Sequence, residues 1–257
     1  MKKVIALLLV MVMMLGIAAC ADTQKPTEPS TKPSEPAEQV MTYAEYAAAA
    51  DEAKVVVEGY VQATQGWWDN SIVIYAQDKD GAYFGYKVVC SEEDAAKLIP
   101  GTKIRMTGYK TFYKGMPELA EGATFTFIEG ADTFIADPED VTSLMASEDL
   151  VKKAGIKAAF KGATVAPSTK KDDTTEYAFL YNWDGSGEAG SDLYFNVSIG
   201  DKIYNFCVES YLTGADTEVY KAVEALKVGD KIDLEGFLYW YDGVNPHITS
   251  VTPVVEG

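Results

Sequence analysis

The sequence predicts a mainly β protein made of two small five-stranded barrels in tandem, each with one short helix, following a signal segment and a disordered linker. Two observations carry this reading. First, one phrase is written twice. "GTKIRMTGYKTFYKGMPEL" from Gly101 and "GDKIDLEGFLYWYDGVNPHI" from Gly229 align without a gap, pairing Ile104 with Ile232, Gly108 with Gly236 and Tyr113 with Tyr241. Upstream, "AKVVVEGYVQA" from Ala53 answers "IKAAFKGATVA" from Ile156 and pairs Gly59 with Gly162. Second, the apolar runs are short, rich in β-branched and aromatic residues, and bounded by turn residues, which is the pattern of strands.

The elements follow in order. Lys2 and Lys3, an apolar run from Val4 to Leu15 and small residues before Cys20 make residues 1–19 an export signal, because the run is shorter than a bilayer span requires. Ile17-Ala18-Ala19-Cys20 resembles the lipobox of bacterial lipoproteins. That resemblance implies cleavage before Cys20, lipidation of Cys20 and an anchor on the extracellular face of the cell membrane. Residues 20–40 hold prolines and no aromatic or large aliphatic residue until Val40, so they form a disordered leash.

The first barrel is expected over residues 41–140. Its elements are a helix Thr42 to Ala50, a strand Val55 to Val61, a loop "TQGWWDN", strands "SIVIYAQ" and "AYFGYKVV", a helix "SEEDAAKLI", and two strands, one around Gly108 and one at "FTFIEG". Gly81 is expected to turn the hairpin at "DKDG" by taking positive φ. Ser91, followed by Glu92, Glu93 and Asp94, fits a helix N-terminus. The second barrel, 141–257, repeats the plan with an insertion at 168–192 and a longer helical segment, "ESYLTGADTEVYKAVEAL". The β-β-β-α-β-β order, with glycines inside the first and fourth strands, resembles the OB-fold. The stretch from Val55 to Tyr109 is similar to OB-type domains of exported lipoproteins of Gram-positive bacteria, a resemblance that implies a fold and not an activity.

Composition narrows the chemistry. The chain has 22 basic and 39 acidic residues, and loss of Lys2 and Lys3 with the signal leaves 20 − 39 = −19. Such a charge repels anionic polymers at long range. Cys90 and Cys207 end equivalent apolar strands and are expected as two buried thiols, with a bridge between them, which an extracellular setting permits, as the alternative. His247 is the only histidine, and no hydrolase, zincin, P-loop or redox motif occurs, so the expectation is a protein without catalytic residues or cofactor. An acid pair in a cleft would reopen catalysis. "DKDG" and "DGSGE" do not complete a calcium-loop spacing, so no metal ligands are assigned.

The informative polar-surface residues are aromatic. Trp67 and Trp68 in a loop, Trp183 in the insertion, and Tyr109, Tyr113, Trp240 and Tyr241 in the repeated hairpins are the ligand-binding candidates, suited to stacking on flat rings. The leading expectation is an extracellular glycan, peptide or protein ligand. The alternative is single-stranded nucleic acid held by Lys103, Arg105, Lys110 and Lys114 of the first barrel. The second copy argues against that face, because Arg105, Lys110 and Lys114 become Asp233, Leu238 and Asp242.

Overall fold

The computed structural model describes residues 39–255; the signal segment, Cys20 and the linker through residue 38 lie outside the described residues. The first barrel opens with α1 (Tyr43–Ala48), whose Thr42 and Glu45 form a reciprocal capping box. It continues with β1 (Lys54–Thr64), β2 (Ser71–Gln77), β3 (Ala82–Val89), α2 (Glu92–Ala95), β4 (Lys103–Tyr113), β5 (Met116–Leu119) and β6 (Thr124–Phe127). The strands pair in the order β1-β2-β3-β5-β4, and β4 returns to β1, closing a five-stranded ring with β6 added outside β4. Alternation along β2 builds two layers: Ile72, Ile74 and Ala76 face the barrel core, while Val73 and Tyr75 face away.

The second barrel adds β7 (Glu139–Asp140), β8 (Lys157–Ala166), β9 (Leu180–Tyr181), β10 (Leu193–Ile199), β11 (Lys202–Val208), α3 (Glu218–Glu224), β12 (Lys231–Phe237) and β13 (His247–Pro253). Its ring, β8-β12-β13-β11-β10 and back to β8, repeats the first. The third and fifth strands of each ring meet in parallel, at Gly85 and Leu119 in one and at Cys207 and His247 in the other. Both barrels are therefore OB-like, and the tandem architecture read from the repeat holds. Register confirms the repeat at single-residue level: Val55 faces Gly108, and their sequence equivalents Ala158 and Gly236 also face each other. Gly236 is required by close packing, since a Cβ there would run into the backbone of His247 and Ile248.

The repeat also explains its own charge changes. Glu58 on β1 accepts from Arg105 on β4 at 2.7 Å. The equivalent positions in the second barrel hold Lys161 and Asp233, paired at 3.2 Å with the polarity reversed. At the hairpin tips the equivalents touch each other: Lys114 and Asp242 pair at 2.6 Å, and the Tyr113 and Tyr241 rings sit 6.0 Å apart, edge to face. Identical charges at such a meeting point would repel, so one copy needs the opposite sign.

Four local expectations change. The fifth barrel strand is "MPEL", not "FTFIEG", because Tyr113-Lys114-Gly115-Met116 makes a tight hairpin whose return strand completes the ring. The helix expected through Ile99 stops at Ala95, although Ser91 does cap it by accepting from the Asp94 N–H. The helix expected over Thr42 to Ala50 is confined to Tyr43–Ala48. Gly81 does not take positive φ: Asp78 turns the chain by accepting from the N–H groups of Asp80 and Gly81, and Gly81 is needed because the Tyr43 ring occupies the space of a Cβ. Cys90 and Cys207 are both buried and free. Among the described residues no helix is long and apolar enough to cross a membrane.

Candidate nucleic-acid interface

The outward face of β2 and β3 is covered by the second barrel. Val73, Tyr75 and Phe84 pack with Met116, Ala154 and Phe237 in a core of their own between the two rings. Tyr75 is its centre, with its ring 4.5 Å from that of Phe237 and 5.0 Å from that of Phe84. Its hydroxyl accepts from the Gln65 amide at 3.0 Å and lies 2.7 Å from His247 Nδ1. A buried hydroxyl that already accepts from Gln65 has its own proton to place, and His247 Nδ1 is the acceptor within reach. That assigns the imidazole proton to Nε2. Burial holds His247 neutral, with its pKa down at about 3.

Beyond this contact the barrels part into a cleft of about 800 Å³, bordered by Phe84 and Tyr86 of β3, Tyr194 of β10, Asn205 of β11, Trp183 of the insertion, and the Tyr239–Asn245 turn. A second hollow of about 280 Å³, bordered by Trp68, Lys87 and Tyr211, shares Gln65, Val73 and Tyr86 with the first. The two form one groove. Its rim carries large aromatic side chains that folding leaves in water: Trp183 is 74% exposed, Tyr211 70% and Trp68 65%. Tryptophan is ordinarily well buried, so this exposure on one groove is unusual and leaves flat ring faces open to solvent. Lys87 is the cation of the smaller hollow, 6.0 Å from the Trp68 ring and 5.5 Å from that of Tyr86.

The larger cleft is acidic. Glu209 is pushed up to about 7 by burial, reinforced by the charge of Asp192. Tyr194 and Tyr239 are held protonated by burial. Asp192 and Glu209 are the acid pair in a cleft that sequence counting could not single out. Both already serve the backbone: Asp192 accepts from the Ser210 N–H and hydroxyl at 2.8 and 2.6 Å, and Glu209 accepts from the Leu212 N–H at 3.0 Å. Among the described residues no ion pair neutralises either one.

Of the aromatic candidates, Trp68, Trp183 and Tyr241 border this groove. Trp67 is tethered instead, its indole N–H donating to the Cys90 carbonyl at 2.8 Å. Trp240 is corrected: it packs into the second barrel's core and the inter-barrel core, and Gly115 lies against its ring. Tyr109 and Tyr113 are exposed but do not border either hollow. The basic face of the first barrel is also corrected. Lys110 is 1% exposed, and its ammonium donates to the carbonyls of Tyr46, Ala47 and Ala49, satisfying the end of α1. Lys103 and Arg105 both pair with Glu58, and Lys114 with Asp242. All four side chains are thus engaged within the protein.

Sequence reasoning missed Tyr86, Tyr194, Tyr211, Glu209 and His247. Tyr86 precedes Lys87, which takes positive φ, so simple alternation does not tell its face. The others all lie in the second barrel, where the pairing of β10 with β11 and of β11 with β13 sets Tyr194 and His247 on either side of Cys207, a neighbourhood that the linear sequence does not show.

A scan against protein-family models finds no match, and a search of curated proteins finds none. Solved structures similar to this chain include the p204 HINb domain, at 11% identity over 77% of this chain and 95% of that one, with a TM-score of 0.32. A murine DNA-binding protein bound to double-stranded DNA matches at 11% identity over 79% and 97%, TM-score 0.35. The single-stranded DNA-binding protein of Thermus aquaticus, as a deletion mutant, matches at 10% over 79% and 95%, TM-score 0.27. These findings correct the expected order of ligands: the names that state a ligand state DNA, and the glycan, peptide or protein reading is dropped. At such scores the likeness transfers no ligand to this chain, and the chemistry of the groove has to supply the case.

Proposed function

We propose that this chain is a non-catalytic binder of single-stranded nucleic acid that takes unpaired bases into the inter-barrel groove. One observation carries the proposal. The groove is bordered by the second and third strands of both barrels, by the β1–β2 loop with Trp68, by the insertion with Trp183 and by the Tyr241 turn, the surfaces through which OB-folds engage oligomers. Base stacking on an aromatic side chain contributes roughly 1–3 kcal/mol per base and needs no sequence code. Several stacks would offset the repulsion between a phosphate backbone and a chain of this charge.

The charge sets a signature that distinguishes this mode from a basic groove. Counterion release makes ordinary nucleic-acid binding weaken steeply with salt. Here the four predicted cationic contacts are internal, so affinity should be flat or should rise as salt screens repulsion. The proposal includes the address implied by the first twenty residues, the extracellular face of the cell membrane reached through lipid on Cys20. Support comes from the short apolar run and the small residues before that cysteine.

The test is a titration of the full-length chain in detergent with a thymidine oligonucleotide, followed by tryptophan fluorescence. Trp183→Ala and Trp68→Ala should each weaken binding roughly 5- to 100-fold. Absence of any response, or a response that both variants retain unchanged, would refute the proposal.

A further inference from the structure

The floor of the larger cleft presents hydrogen-bonding groups that stacking does not use. His247 is 7% exposed, borders the cleft, and has Nδ1 committed to Tyr75, so the Nε2–H is a donor with no protein acceptor among the described residues. The Tyr239 ring lies 4.2 Å from the imidazole and stacks on it, fixing its plane. Glu209 borders the same cleft, its carboxylate meeting the backbone N–H groups of Leu212 and Tyr211, with no cation paired to it among the described residues. One fixed donor and one acceptor thus line the same cleft as Tyr194, Tyr239 and Phe84. A buried donor without a partner is costly to leave unmet, and the half-buried Glu209 carboxylate keeps acceptor capacity beyond its backbone bonds, so the floor favours a ring that offers an acceptor beside donors.

We propose that this floor is a base-reading subsite selective for guanine, whose O6 accepts from His247 while its N1–H and N2 amino group donate to Glu209. Guanine is the base that sets two donors beside one another next to a carbonyl, which suits a carboxylate accepting in bidentate fashion. Adenine and cytosine each offer one amino group on that edge, and thymine offers one ring N–H between two carbonyls. The aromatic walls supply the stacking common to all bases, and the floor supplies the discrimination. This inference rests on the nucleic-acid reading of the groove and assigns its specificity.

The experiment keeps the two claims separable. A short thymidine oligomer, the same oligomer with one central guanine, and the same with one central inosine, which lacks only the N2 amino group, are titrated against the full-length chain and against Glu209→Gln. The guanine oligomer is expected to bind about tenfold or more tighter than the thymidine oligomer, and inosine to lose much of that gain, in keeping with about 1–3 kcal/mol for a bidentate base contact. Glu209→Gln should erase the difference between the guanine and thymidine oligomers. Equal binding of all three oligomers to the unsubstituted chain would overturn the subsite and leave the groove reading standing. No binding of any oligomer would overturn both. The guanine–inosine comparison changes only the ligand, so its outcome does not depend on how well the variant folds.

Discussion

Glu118→Gln should stabilise the protein in alkaline solution and leave it unchanged in acid. Glu118 lies on β5, is 4% exposed, and has Oε2 without a hydrogen-bond partner. Burial raises its pKa from 4.5 to about 7. In the folded chain the proton is therefore retained across a window in which the unfolded chain has already released it. The unfolded state binds fewer protons there, so stability falls as pH rises from about 4.5 and levels off above about 7. At about 1.4 kcal/mol per pH unit the full effect is roughly 3 kcal/mol, and burial that is less than complete brings the expectation to about 1–3 kcal/mol. Glutamine keeps the size and removes the charge. Denaturant unfolding near pH 4 should give the two proteins equal midpoints, and near pH 8 the variant should be about 1–3 kcal/mol more stable. Glu209 also titrates near neutrality, but it is present in both proteins and cancels in the difference. Parallel stability curves over the whole range would show that Glu118 is ionised in the fold, and the burial argument would be wrong.

Three further outcomes follow from side chains already described. Lys110→Met should cost about 2–4 kcal/mol in denaturant unfolding, because it strips three helix-end carbonyls of their donor. Tyr75→Phe should cost about 1–3 kcal/mol by leaving Gln65 and His247 unmet between the barrels, read as a lower melting temperature; an unchanged value would mean that water replaces the hydroxyl. Glu58→Lys or Arg105→Asp alone should destabilise by about 1 kcal/mol, and the double exchange, which reproduces the arrangement of Lys161 and Asp233, should recover most of it; a double-mutant cycle without coupling would refute the pairing.

Much of the fold was legible because the repeat constrains it from two sides. "SIVIYAQ" and "AYFGYKVV" become β2 and β3 with the bounds read from their composition, since both are short, apolar and closed by a strong turn. The fifth strand was not legible. "MPEL" is four residues containing a proline, and only ring closure gives it a role. The groove was legible in part: Trp68, Trp183 and Tyr241 are aromatics in loops, where no core explains them. The rest of the site depends on docking, which sequence periodicity does not encode. The basic stretch misled for a related reason. A lysine in a strand reads as surface, yet Lys110 and its equivalent Leu238 both point inward, at 1% and 0% exposure. Lysine serves the first position because α1 ends there and presents carbonyls.

The charge differences between the copies thus have structural causes, and this bears on why the phrase occurs twice. If the barrels were independent modules, each would be free to keep the same hairpin tip. Instead Lys114 meets Asp242 and Tyr113 meets Tyr241, so the tips have diverged to fit one another. The contact fixes how the two outward faces approach. With Tyr75 anchoring Phe237 and His247 at one end and the tips locked at another, the space left between the barrels is a groove of set width. Neither barrel alone contains it. Glu209 and Tyr194 come from one copy and Tyr86 and Gln65 from the other, so the duplication creates the site and does not simply double it.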